Sequence, residues 1–92
     1  MEDGRIPVED LIEFPTSFSF KVIGHHTREF SRHAVAATRS VVIDDRGVRH
    51  RTRLSRNGTY LSVTVTATVE SADELHRVYE ALGSVDGAIT VL

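Results

Sequence analysis

Residues 60–69, YLSVTVTATV, alternate without a break. Leu61, Val63, Val65, Ala67 and Val69 fall on one side, and Tyr60, Ser62, Thr64, Thr66 and Thr68 on the other. Successive side chains of extended backbone point to opposite faces, so this pattern marks a strand buried on one face only. Such a strand needs further strands beside it and a layer to cover its apolar side.

The partners are legible on either side. From Thr16 to Gly24, Phe18, Phe20 and Val22 alternate with Ser17, Ser19 and Lys21, and Pro15 stands just before, where a missing ladder donor does least harm. Residues 48–54 place Val48, Thr52 and Leu54 on one parity and Arg49, Arg51 and Arg53 on the other. Asn57-Gly58 follows, the pair best suited to a type I′ hairpin, in which both central residues take positive φ. Residues 86–92, DGAITVL, predict a short last strand.

Two helices supply the covering layer. Thr27 is the expected N-cap of the first, whose apolar stripe is Phe30, Ala34, Ala37 and Val41 and whose end falls near Ile43, before the turn cluster Asp44-Asp45-Arg46-Gly47. Ser71 and Glu74 predict a capping box for the second, with Leu75, Val78, Tyr79 and Leu82 as its stripe and Gly83 as its C′ stop. The order is β-α-β-β-α-β, which predicts an α+β, ferredoxin-like sandwich of a four-stranded antiparallel sheet with two helices on one face. The usual strand order puts the first and third strands in the centre and the arginine strand at an edge.

Ninety-two residues hold one core, expected over residues 14–92. Residues 1–13 carry five acids and one arginine and read as a loosely ordered acidic arm. The absence of cysteine excludes a disulfide framework, a thiolate zinc site and a thiol nucleophile. No apolar run is long enough to span a bilayer, and the acidic first residues lack the apolar region of a secretory signal. A cytoplasmic location, with no membrane contact, is the expectation.

EFPTSFSFKVIG at residues 13–24, NGTYLSVTVTATVESADELHRVYEALG at residues 57–83 and the terminal Val91-Leu92 resemble the YbeD-like family of small bacterial proteins of unknown function. Glu13-Phe14-Pro15, Lys21, Gly24, Asn57-Gly58, Tyr60, Ser62, Tyr79 and Leu82 carry the resemblance, whereas residues 25–56 match poorly. The resemblance implies an ACT-like regulatory domain, of the kind that binds small metabolites and pairs through its sheet, and a link to lipoate metabolism. It supplies no catalytic residues, and the protein is expected to be non-catalytic.

Residues 46–56 hold five arginines and no acid, while the formal net charge of the chain is -2. Arg49, Arg51 and Arg53 can serve as a charged edge that blocks unwanted pairing, as contacts for a carboxylate or phosphate metabolite or a protein partner, or as a track for nucleic acid. Nucleic acid ranks below the other uses, because Tyr60 is the lone stacking group expected on the neighbouring open face. Gly24, His25, His26 and Thr27, the turn leaving the first strand, are the candidate ligand site, since Gly24 permits close approach and a helix start favours an anion. His25, His26, His33, His50 and His76 match no metal-ligand spacing, so neither a metal nor another cofactor is expected. The open sheet face and the last strand each offer a surface for a homodimer.

Overall fold

The computed structural model describes residues 12–92, and in it β1 (Thr16–His25) and β3 (Tyr60–Val69) lie side by side at the middle of a four-stranded antiparallel sheet. Residues 1–11, most of the predicted acidic arm, lie outside the described residues. The strands run β2-β3-β1-β4 across the sheet, with β2 (Arg49–Leu54) and β4 (Ala88–Val91) at the edges. Helices α1 (Phe30–Arg39) and α2 (Ala72–Gly83) complete the β-α-β-β-α-β order.

The alternation of β1 and β3 sets the core. Thr16 pairs with Val69 and every following residue pairs in step as far as His25 with Tyr60, so Phe20 and Val22 lie beside Val65 and Val63. All four are fully buried, each removal from water worth about 1.5–3 kcal/mol. Tyr79 of α2 packs edge-on against Phe20, with ring centroids 5.1 Å apart, and Phe18 lies 4.8 Å from Phe20.

Helix α1 differs from its prediction at both ends. Thr27 does not cap it; Glu29 takes the N-cap position without a side-chain hydrogen bond, and the Thr27 carbonyl accepts from the Phe30 N–H at 3.4 Å. The helix stops at Arg39, ahead of the β-branched run Val41-Val42-Ile43, whose side chains crowd a helical backbone. The buried stripe is Phe30, Ala34 and Thr38, with Val42 beyond the helix also in the core; Ala37 and Val41 are half-buried. Thr38 can be buried because its hydroxyl donates to the Ala34 carbonyl at 3.0 Å.

Helix α2 begins at the predicted cap, with Ser71 Oγ accepting from the Glu74 N–H at 3.1 Å. The return bond is displaced by one residue: Glu74 Oε1 accepts from the N–H of Glu70 instead of Ser71. Gly83 is the last helical residue instead of a left-handed stop, and Gly87, at φ 89°, makes the positive-φ turn into β4.

The β2–β3 connection is not a type I′ turn. Gly58 has φ 76°, but Asn57 has no positive φ, so only one of the two residues that type I′ requires is present. Residues 56–59 form a four-residue loop closed by Ser55, whose N–H donates to the Tyr60 carbonyl at 2.9 Å and whose Oγ accepts from the Tyr60 N–H. The His26 N–H binds the Thr59 carbonyl at 3.0 Å and His26 Nδ1 the Gly58 carbonyl at 3.1 Å, engaging the loop from outside the hairpin. The register is nevertheless the one a two-residue loop would give, with Leu54 opposite Leu61.

Candidate functional site: the helix-free face of the sheet

Both helices cover one face, so the other parity of every strand forms an open surface. Across it run three rows: Arg49, Thr66 and Ser19; Arg51, Thr64 and Lys21; Arg53, Ser62 and Ile23. In the first row Ser19 Oγ and Thr66 Oγ1 share a hydrogen bond of 2.9 Å. Lys21, Arg51, Arg53, Ser62 and Thr64 surround a shallow hollow of about 310 Å³, and a second hollow beside it reaches Ile23 and Tyr60. No side-chain carboxylate stands on these rows, and the three arginines and Lys21 are exposed. Guanidinium forks and an ammonium flanking two hydroxyls can receive a carboxylate or phosphate.

The predicted turn site is arranged differently. A Cβ on Gly24 would fall on the Phe30 ring and the Gly87 carbonyl oxygen, so the close approach that this glycine permits is made by the protein itself. The His25 N–H donates to that same carbonyl at 3.0 Å, and its ring lies 5.9 Å from Tyr60. His26 is spent on the hairpin loop, and Thr27 is exposed in the turn ahead of α1. Glu29, at the helix entrance, pairs with Arg32 at 3.3 Å, which sets a carboxylate where an anion would approach.

The structure therefore gathers Arg49, Arg51 and Arg53 on one surface and leaves Gly24, His25, His26 and Thr27 beside it, at the ends of β1 and of the hairpin. His33 and His76 sit on separate helices and His50 on β2, and among the described residues no three His, Asp or Glu side chains converge as metal ligands. Lys21 was not among the candidate site residues. Its parity alone put it on the open face; its place opposite Thr64 and Arg51 depends on cross-strand register, which only the assembled sheet defines. No helix among the described residues is long and apolar enough to cross a membrane.

The chain resembles known proteins along nearly its whole length. It is 36% identical over 84 residues to a UPF0250 protein of Shewanella halifaxensis, covering 91% of this chain and 93% of that one. A UPF0250 protein of Haemophilus ducreyi is 34% identical over 85 residues, covering 92% and 86%. Among solved structures, the fold matches protein HP0495 from H. pylori with a TM-score of 0.72 at 16% identity, covering 98% of this chain and 91% of that one. It also matches the ACT domain from GTP pyrophosphokinase of Chlorobium tepidum with a TM-score of 0.57 at 18% identity, covering 84% and 97%. The expected ferredoxin-like, ACT-like architecture is thus present. Residues 9–92 match the model of a protein family of unknown function, DUF493, a span that includes the arginine strand, and the chain belongs to that family, with the YbeD-like UPF0250 proteins as its relatives.

Proposed function

We propose that the protein is a non-catalytic regulatory or interaction module that holds an anionic ligand or partner group against the open face of its sheet, with Lys21, Arg51 and Arg53 as the principal contacts. The observation that carries this reading is the cross-strand row Arg51–Thr64–Lys21, with Arg53 and Ser62 beside it and no side-chain acid on the same rows. The likeness in fold to an ACT domain supports the regulatory part of the reading by analogy.

A thermal-shift screen of inorganic phosphate, nucleotides and carboxylic acids, lipoate among them, tests it. A ligand specific for the folded state at a hundred times its Kd adds about 2.7 kcal/mol of stability. The expected result is a rise in Tm for at least one anion that Lys21→Ser or Arg51→Ser reduces, since a charge-assisted hydrogen bond contributes about 1.5–3 kcal/mol. A rise that both variants retain in full would place the ligand elsewhere, and silence across the screen would sink the anion site.

A second reading, single-stranded nucleic acid, is favoured by the His25–Tyr60 ring pair at the end of the same face. It predicts affinity for mixed oligonucleotides that falls steeply with salt, with a shallower slope after Arg49→Ser. Absence of binding at low salt would exclude it.

A further inference from the structure

We propose that the outer edge of β2 is a strand-addition site for a partner polypeptide segment whose side chains alternate acidic and apolar. This rests on the reading of the protein as a binding module; it adds the free backbone edge of β2 and shares Arg51 and Arg53, but not Lys21, with the anion hollow of the open face.

The hydrogen-bond phase of β2 follows from its closing pair. Ser55 donates to Tyr60, so residues 53, 51 and 49, two, four and six positions back along the strand, also turn their backbone groups toward β3. His50, Thr52 and Leu54 consequently point their N–H and C=O groups away from the sheet, and no partner for them is present among the described residues. All six residues of β2 are exposed. An unpaired row of this kind is a template for another strand.

The two faces of that template have different chemistry. On the open face an added strand would lay one parity of its side chains beside Arg49, Arg51 and Arg53. On the helix face the covering layer stops short of β2, leaving a groove of about 610 Å³ between α1 and the strand. Val35, Ala36 and Val48 line it, with Arg32, Arg39 and His50 around them. The other parity of the added strand would enter this groove. Carboxylates on one side and aliphatic groups on the other therefore match the edge: the arginine row complements the carboxylates, and Val35, Ala36 and Val48 give the aliphatic groups their apolar contact.

A second copy of the same strand does not match. Antiparallel pairing about a two-fold axis keeps each face on its own side, so residues opposite one another have the same parity. A central register sets Arg51 against Arg51 and Arg49 against Arg53, and a shift by one pair sets Arg49 or Arg53 against Arg51. Like charges directly opposite are destabilising. The edge thus rejects itself while accepting an acidic strand. At the other edge, β4 presents Ala88, Ile89, Thr90 and Val91, none of them charged.

A capped octapeptide alternating glutamate and valine, titrated into the ¹⁵N-labelled full chain, tests the proposal. The expected result is slowed amide exchange at His50, Thr52 and Leu54, with at least tenfold weaker binding by Thr52→Pro, which lacks an outward N–H that β3 does not use. The same peptide N-methylated at alternate residues, tested on the unaltered chain, is expected to lose affinity to a similar degree. That arm decides the matter even if Thr52→Pro fails to fold. Equal binding by the N-methylated peptide, absence of binding by the parent peptide, or equal binding by a lysine–valine peptide would overturn the proposal. Perturbations confined to Lys21, Ser62 and Thr64 without edge protection would also overturn it while leaving the anion hollow standing. Conversely, Lys21→Ser should weaken binding of small anions in the hollow and leave edge protection by the peptide in place. A mixed-sequence deoxyoligonucleotide binding more tightly than the peptide, and equally to Thr52→Pro, would identify nucleic acid as the occupant instead.

Discussion

The groups that crowd Gly24, the Phe30 ring and the Gly87 carbonyl, both follow it in the sequence, one from the next helix and one from the turn into β4. Gly24→Ala is expected to cost about 1–3 kcal/mol in urea unfolding, the usual range for overpacking, because the ring and the carbonyl must both move. Thr38 was not legible as core, since both i+3 and i+4 continue a helical stripe and Ala37 is the more apolar choice. Its hydroxyl finds the Ala34 carbonyl within its own helix, which makes burial affordable for a polar side chain. Thr38→Val keeps the volume and strands no donor, so the change in unfolding free energy is expected to stay within about 1.5 kcal/mol.

At the scale of elements, the clearest boundaries were those with a side chain committed to the backbone. Ser71 caps α2 as its spacing to Glu74 predicts, and Ser71→Ala is expected to lose about 1 kcal/mol in thermal unfolding. Glu74 is only 2% exposed and satisfies the Glu70 N–H, so Glu74→Ala leaves that donor unpaired at a cost of about 1–3 kcal/mol. Glu74→Gln retains an acceptor and is expected to cost less, a difference that urea denaturation of the two variants measures. Where the prediction rested on propensity alone it drifted. Thr27 is a good capping type in a place where Glu29 starts the helix, and Asn57-Gly58 is a good turn pair in a loop held by Ser55 and His26. Strand pairing survived these local errors because register is set by which face must be buried.

For the whole molecule, the period-2 and helical patterns were sufficient to order the elements, and the usual strand order of a ferredoxin-like sandwich put the arginines at an edge, but the site needed the third dimension. The row joining Lys21 to Arg51 crosses three strands, and the groove beside β2 exists because α1 stops short of the edge. The charged edge also has a consequence for association. Replacing Arg49, Arg51 and Arg53 together by threonine is expected to leave the fold intact and to promote self-association, detected by sedimentation equilibrium at concentrations where the unaltered chain shows less. The central position of β1 has a further consequence, for the order of events during synthesis. Val22 pairs with Val63 on one side and with Val91 on the other, so the strand made first depends on segments made much later. Until residues 60–69 leave the ribosome, Phe18, Phe20 and Val22 have neither neighbouring strand against which to pair. Arrested nascent chains ending before Val69 are therefore expected to be cleaved by protease within residues 16–25, and chains that include β3 and α2 to resist it.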